Sequence, residues 1–541
     1  MSLREEQLRS LANDTFDVAI IGGGINGAVS AAALSKRGVK VALIDANDFA
    51  GFTSQHSSNL VWGGIKYMES YDFRLVASLC KSRNELMRSF PSTIKEIRFF
   101  TSISRGFRHH PLTLLLGSWI YWLFGRGYTQ KPRYLTTRKI SALEPVIDTT
   151  DCIGGMEYSD AYLFDNDARF VFSFIRSAIQ SGAVATNYVA SEGSVRTKDN
   201  EWHTLAKDQQ SGARFTIKSK TLINASGAFV DKQNRLSSVL TDHRHVFSKG
   251  IHLIVPRLTD NKRVLTFFAS DGRLFFAIPM ANRTCIGTTD ERVDEAITQV
   301  TDEDRDFVLS NINSRLALDK PLDKNDIISE RCGVRPLVVD QSLSASTDFL
   351  HMSRKHIVEV IEESCHLSIF GGKLTDCINV GDEICDKISA FGIDVAPPSG
   401  KWYGEPDISQ KNLFLQKAKE LNLHTRQAED TDELFTDRLW RRYGKDAFKV
   451  LQIIESDPTS CEPIISGTGL TRCEAIYSRH HEMIENLEDC LRRRSKLELL
   501  FGRDKLKNHA DLPALSAALF GDKAEAQLQK YKQCDGNPIY S

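Results

Sequence analysis

Gly22, Gly24 and Gly27, set within six positions of one another, are the residues of this 541-residue chain that offer the most specific chemistry. Glycines so spaced let a turn close tightly, let backbone N–H groups approach a phosphate with no Cβ between, and let the next helix pack on the preceding strand. They form a cradle for the pyrophosphate of a dinucleotide, which a helix N-terminus also favours through its unpaired N–H groups and positive dipole end. Asp45, eighteen residues after Gly27, supplies a carboxylate able to accept hydrogen bonds from an adenosine ribose. The elements that must position these residues surround them: the apolar run 16–21 reads as a strand, the stretch after Asn26 as a helix, and the run ending at Asp45 as a second strand. NAD and FAD share the adenosine diphosphate half, so the motif alone leaves the choice open. The small polar loop 51–59, with Thr53, Ser54, Ser58 and Asn59, suits the inner phosphate and ribityl chain of a flavin and favours FAD.

Composition narrows the classes. A chain of this length exceeds what one hydrophobic core supports, so two or three domains are expected. Hydrophobic residues at 41% and charged residues at 26% are ordinary for a soluble globular protein. The 69 basic and 70 acidic residues nearly cancel, and no nucleic acid is expected as a partner. The eleven cysteines contain no Cys-x-x-Cys pair and no Cys/His cluster at zinc spacing, so no metal is expected and they read as reduced thiols of a cytoplasmic protein. Residues 1–13 are charged and lack the apolar core of a signal peptide; Leu3, Leu8 and Leu11 fall in what reads as a frayed terminus. The most apolar run, 112–124, is shorter than the ~20 residues that cross a bilayer. With Trp119, Tyr121 and Trp122 inside it and Arg105, Arg108, His109, His110 and Arg126 around it, this run suits either a membrane-interface element or a buried helix with a basic edge.

Farther along, strand-like runs alternate with small residues. Segment 184–189 reads as a strand reaching Val189, followed by a turn at 191–194, and 222–228 as a strand breaking into Ala225, Ser226 and Gly227, where a backbone can approach a cofactor. Segments 249–256, 272–279, 285–290 and 332–337 read as further strands, the first carrying His252, which by itself reads as structural. Segment 369–375 places Gly371 and Gly372 before Lys373, Leu374, Thr375 and a helical pattern, a second place where amides can face a cofactor. Beyond a Pro/Gly-containing linker at 396–406, charge patterning predicts helices within 411–421, 431–455 and 471–500.

The order GGGINGA, TSQHSSNLVWGGIKY, INASGAFV, KGIHLIVPR, FFAIP, IGTTD, GVRPL and FGGKLT resembles that of the FAD-dependent glycerol-3-phosphate dehydrogenases of the D-amino-acid-oxidase-like flavoprotein superfamily, over residues 16–390. TDRLWRRYG and EAIYSRHHEMIENLEDCLRRRSKL extend it toward the C-terminus. The resemblance implies a mixed α/β and α+β fold. A discontinuous Rossmann-like FAD-binding domain would occupy 1–95, 145–235 and 330–398, an antiparallel-sheet substrate domain 96–144 and 236–329, and a helical C-terminal domain 399–541. It implies FAD held by Gly22, Gly24, Asn26, Gly27, Asp45, Thr53, Ser54, Ser58, Asn59, Gly64, Val189, Ala225, Gly227, Gly372, Leu374 and Thr375. Lys66, Tyr67 and Arg273 would bind substrate, and His252, Arg335 and Lys373 would carry catalysis. In that assignment Lys66 and Arg273 meet a phosphate dianion, which needs several cations. His252, with a pKa near neutrality, is the general base, Arg335 stabilises a developing alkoxide and Lys373 the reduced flavin. The implied activity is oxidation of glycerol 3-phosphate to dihydroxyacetone phosphate by hydride transfer to flavin N5, with electrons passed to membrane quinone. A peripheral position on the inner face of the cytoplasmic membrane and a homodimeric assembly belong to the same expectation. A flavoenzyme for another small anionic alcohol or amine, or a flavin-bearing subunit without catalysis, stays open as an alternative. The chain departs from the family where Lys-Leu-x-His-Gly-Gly-x-Arg-Tyr is usual, reading Asn59-Leu60-Val61-Trp62-Gly63-Gly64-Ile65-Lys66-Tyr67. That removes a basic residue and a histidine from the flavin side and replaces a planar guanidinium fork by a point charge.

Overall fold

The computed structural model describes residues 2–269, 272–342, 355–397, 400–427 and 433–534. The strand Thr15–Ile21 pairs in parallel with Arg214–Asn224 on one side and Val41–Ile44 on the other. Val184–Thr186 and His366–Phe370 extend the sheet in the same sense, and Ile357–Ile361 closes one edge antiparallel. Unbroken apolar runs such as 18–21 are what strands covered on both faces require. The helix Ile25–Ser35 presents Ala28, Ala31, Ala32 and Ala33, side chains small enough for Asp167–Gln180 and Cys377–Ala390 to pack closely against it.

A second sheet of ten strands is antiparallel except where Arg263–Phe268 meets Ile94–Ser104. Its long strand His243–Pro256 pairs with Arg283–Gly287 and with most of Ser329–Asp340. Cys152–Leu163, inside segment 145–235, and Ser329–Asp340, at the start of segment 330–398, pair in this second sheet. Hydrophobic periodicity reveals a strand but not the sheet it joins. The described elements from Ile408–Glu420 to Ala524–Gln533 are helices packed around two apolar clusters. The stretch 471–500 is broken into Arg472–His481, a π-helical turn Asp489–Arg494 and the start of Leu497–Phe501. Pro398 and Ser399 of the expected linker, and Thr431 and Asp432 of an expected helix, lie outside the described residues.

Two local expectations are corrected, and one open choice is narrowed. The N-terminus is a helix, Leu3–Asn13, rather than a frayed end: a Ser2/Glu5 capping box starts it, Leu11 is fully buried, and buried Arg4 pairs with Asp208 and donates to the Asn187 carbonyl. The expected turn at 191–194 lies within the strand Val189–Arg196, where a bulge between Ser191 and Gly193 absorbs the small residues. The apolar run forms the helix Pro111–Phe124, which is not a core element: Leu112, Leu116, Trp119, Ile120 and Leu123 are all exposed, while Ser118 and Tyr121 face inward.

The helical region is fastened to the first sheet by buried charge. Asp48, fully buried three residues beyond Asp45, accepts from Arg493 Nε at 2.6 Å and from Arg494 Nη2 and Nη1 at 2.8 and 2.9 Å. Asn187 Nδ2 adds a fourth bond at 2.8 Å.

Candidate active site

The cradle is built by steric exclusion. Gly22 has φ +106°, and a Cβ there would stand 2.5 Å from the Ala225 carbonyl oxygen; a Cβ at Gly27 would stand 1.8 Å from the Gly22 carbonyl oxygen. Helix and turn therefore close on the two strands only with glycine at both places. Ser54 Oγ accepts from Ile25 N–H at 3.1 Å and lies 3.2 Å from where a Gly24 Cβ would be, so Thr53–Gln55 covers the helix N-terminus. Asp45 accepts from Gly23 N–H at 2.7 Å and Asn47 N–H at 2.8 Å, and Val189 N–H donates to its carbonyl at 2.7 Å. Burial outweighs those bonds and pushes the Asp45 carboxyl up to about 7. The Ala225–Gly227 turn is held by Asn224, whose Oδ1 accepts from Ser226 while its Nδ2 donates to Val230 and Asn234. Asn26 Nδ2 donates to the Gly371 carbonyl at 3.0 Å, drawing the Gly371–Gly372 turn to the same helix end; Leu374–Asp376 follows as a 3-10 turn with Thr375 buried.

Ser329–Asp340 joins this cradle to the second sheet. The Val334 carbonyl accepts from Thr53 Oγ1 at 2.9 Å, and the Gly371 turn packs near Pro336 and Val338, so Arg335 sits between two contacts with cofactor loops. Its guanidinium donates to Thr288 Oγ1 at 3.1 Å and the Thr289 carbonyl at 3.3 Å, pairs with Asp290 at 3.4 Å, and lies over Gly250, where a Cβ would be 2.1 Å from Nη2. His252 is buried, pairs across the strand with Arg331, and neither ring nitrogen has a partner among the described residues. Burial first, then Arg331 and Arg335, push its pKa down to about 3. The expectation of a pKa near neutrality is thus corrected: without ligand this imidazole is neutral throughout the working range.

Arg331 is a functional candidate that sequence reading passed over. It is fully buried, donates Nη1 to the Ser57 carbonyl and to Asn59 Oδ1, and leaves Nε and Nη2 unpartnered among the described residues. Its cation reaches Asn59 in the loop 51–59. Only the alternation His252–Arg331 across neighbouring strands could have pointed to it, and that register is invisible in one sequence.

Lys373 and Tyr67 come together, with Nζ 4.3 Å from the ring centroid and no hydrogen-bond partner among the described residues. Gly64, left-handed at φ +79°, turns the chain so that Tyr67 packs beneath it. Trp62 stands 6.5 Å from Tyr67 and 6.4 Å from Phe276, centroid to centroid, with its buried Nε1 unpartnered among the described residues. Lys66 is exposed; its carbonyl accepts from Glu69 N–H at 3.1 Å, and its side chain makes no hydrogen bond or ion pair among the described residues. Arg273 donates to the Asp290 carbonyl at 2.8 Å and stacks over Phe307, so it and Arg335 converge on Asp290. Ser58 lies half-buried in the loop, and Gly227 is left-handed at φ +59°.

This geometry fits a flavin dinucleotide. Asn26 Oδ1, Trp62 Nε1, both His252 nitrogens, two Arg331 nitrogens and Lys373 Nζ are buried polar atoms without partners among the described residues, on elements that border one cradle. Such atoms are costly unless a bound group satisfies them.

A glycine cradle at the carboxyl ends of parallel strands, roofed by a second sheet that carries cations and a histidine, defines a dinucleotide-dependent oxidoreductase. The chain belongs to the FAD-dependent glycerol-3-phosphate dehydrogenase family of FAD-dependent oxidoreductases: residues 17–359 match the FAD dependent oxidoreductase family, and 400–523 the C-terminal domain of alpha-glycerophosphate oxidase. It is 30% identical over 502 residues to glycerol-3-phosphate dehydrogenase 2 of Mycobacterium tuberculosis, covering 91% of this chain and 82% of that one. It is 28% identical over 544 residues to the aerobic glycerol-3-phosphate dehydrogenase of Staphylococcus aureus, covering 98% and 95%. The fold is similar to that of the glycerol-3-phosphate dehydrogenase from Bacillus halodurans complexed with FAD, with TM-score 0.75 and 24% identity over 98% of this chain and 96% of that one. The chain is an FAD-dependent oxidoreductase.

Proposed function

We propose that the protein oxidises sn-glycerol 3-phosphate to dihydroxyacetone phosphate. The observation that carries this reading is the cationic and histidine-bearing face of the second sheet, His252, Arg331 and Arg335, set against the Gly371 turn and the Lys373–Tyr67 pair. FAD, when bound, supplies the two-electron acceptor that takes the carbon-bound hydrogen as hydride at N5. Neutral His252 accepts the hydroxyl proton, and arrival of a dianion offsets the two guanidinium charges that oppose its protonation. Arg335, held by Asp290 and the 288–289 turn, orients the carbinol oxygen and stabilises negative charge on it. Arg273 braces Asp290, and exposed Lys66, next to Tyr67 in the chain, is the cation we assign to the phosphate. Arg331 restores at Asn59 the positive charge lost from the loop. Adding sn-glycerol 3-phosphate to the holoenzyme without oxygen should bleach its visible absorption band.

The ribose assignment has its own test. If Asp45 accepts from ribose hydroxyls, only its ionised form binds well, and its pKa of about 7 in the free cradle makes FAD affinity fall as pH drops below 7. The apoprotein should lose up to about tenfold in affinity per pH unit between pH 7 and 5.5, read by quenching of FAD fluorescence. Asp45→Asn should weaken binding at pH 8 and flatten the dependence; a flat wild-type profile removes Asp45 from the ribose.

We further propose that electrons leave to membrane quinone, with the helix Pro111–Phe124 lying in the interface. No helix among the described residues is long and apolar enough to cross a membrane. The exposed row Leu112, Leu116, Trp119, Ile120 and Leu123, with Tyr71 and Phe73 also exposed, suits an element that enters only the headgroup boundary. Replacing Leu116, Ile120 and Leu123 together by Ser should abolish sedimentation with anionic phospholipid vesicles and leave bleaching by substrate intact. Sedimentation unchanged by the triple variant contradicts the assignment.

A further inference from the structure

Away from the flavin cradle, a cavity of about 810 Å³ opens where three parts of the molecule meet. One wall is the loop around Phe52 and His56, a second the edge of Ser329–Asp340 with segment 296–300, and the third the C-terminal turns carrying Arg492, Phe501 and Lys505. Neither the glycine turn, nor Asp45, nor the turns 225–227 and 371–375 line it. Thr53, the one expected cofactor residue that does, donates its hydroxyl to the Val334 carbonyl. The size falls in the range of metabolite sites.

The lining contains a buried guanidinium to which no carboxylate among the described residues is hydrogen-bonded. The π-helical turn Asp489–Arg494 sends its three successive arginines to different fates. Arg493 pairs with Asp48, Glu488 and Asp489, and Arg494 with Asp48. Arg492 is only 6% exposed; its carbonyl accepts from Asn166 Nδ2 at 2.8 Å, and the one hydrogen bond of its guanidinium among the described residues is a 3.4 Å contact with His56 Nδ1. Of the acids that share the cavity wall, Glu330 pairs with Arg305, Glu488 with Arg493 and Arg503, and Glu498 with Arg503 and Tyr531, while Asp504 is exposed on the rim. Burial and nearby Arg331 push Arg492 down to about 10, the direction of a cation short of counter-charge. A buried charge left so is costly unless an opposite charge covers it.

We propose that this cavity is a second ligand site, taking a small oxyanion of the phosphate type that Arg492 grips through charge-assisted hydrogen bonds, and that its occupancy is felt at the flavin through the loop 53–59. The linkage is short. His56 packs on Gly333, where a Cβ would lie 2.9 Å from the His56 Cβ, and the neighbouring Ser57 accepts from Arg331, which also holds Asn59. An anion that draws Arg492 from His56 shifts the loop that carries Thr53 and Ser54. This site is separate from the substrate reading and holds whichever alcohol the enzyme oxidises.

The test is calorimetric titration of the holoenzyme with inorganic pyrophosphate, with the flavin spectrum recorded alongside. Wild type should bind one pyrophosphate per chain and show a shifted flavin band. Arg492→Gln, which removes the fork, and Ile297→Trp, which fills the cavity from its half-exposed lining, should each weaken binding at least about tenfold at unchanged FAD content. The second variant keeps the test decisive if the first folds poorly. No saturable binding by wild type, binding that both variants leave unaltered, or binding without a flavin shift overturns the proposal.

Discussion

Replacing His252 by Ala is expected to slow flavin reduction by glycerol 3-phosphate about 10²- to 10⁴-fold while FAD content stays at one per chain. The imidazole is buried between Arg331 and Gly287, with both nitrogens free of protein partners among the described residues, so its removal deletes a proton acceptor without breaking a hydrogen bond that holds the sheet. Burial first, and then Arg331 and Arg335, hold its pKa down to about 3, so the ring needs no prior deprotonation to act, and the two guanidinium groups also favour the alkoxide. Stopped-flow mixing under anaerobic conditions separates this step from reoxidation. A reduction rate within about threefold of wild type assigns proton removal to another group.

Asp48→Ala is expected to destabilise the protein by about 3–5 kcal/mol, because it leaves the Arg494 guanidinium buried with no carboxylate in ion-pair reach among the described residues and takes from Arg493 one of its three. The loss is larger than that of a surface pair because Asp48 is fully buried and every bond is charge-assisted. Asp48 follows Asp45 by three residues, so failure of this latch also loosens the ribose end of the cradle. Differential scanning of holoenzyme and apoprotein should show a lower melting temperature in both and weaker FAD retention in the variant. A melting temperature unchanged from wild type would show that water replaces the carboxylate.

The parts legible in the sequence are those in which a short-range rule dictates the residue. Gly22 and Gly27 are demanded by backbone approach within 2.5 Å, and Asp45 by the end of its strand, so spacing alone revealed the cradle. The strands bearing His252 and Arg335 were readable from period-two patterning, but the register that sets His252 beside Arg331 depends on pairing between segments about 80 residues apart. Asp48, Arg493 and Arg494 were missed for the same reason: DCLRRR reads as an exposed helix until a π-helical turn buries all three arginines. The helix Pro111–Phe124 was ambiguous because apolar residues lie on both sides of it, and tertiary contacts alone decide which face is exposed.

The central claim is that the cationic face of the second sheet binds a phosphorylated alcohol for oxidation by the flavin. The most direct measurement mixes holoenzyme anaerobically with sn-glycerol 3-phosphate, and in parallel with glycerol and with glycine, while following the visible flavin band. Rapid bleaching is expected with glycerol 3-phosphate and none with the two unphosphorylated compounds; an unchanged band with glycerol 3-phosphate, or faster bleaching by either of the others, would rule out a phosphorylated alcohol as the substrate.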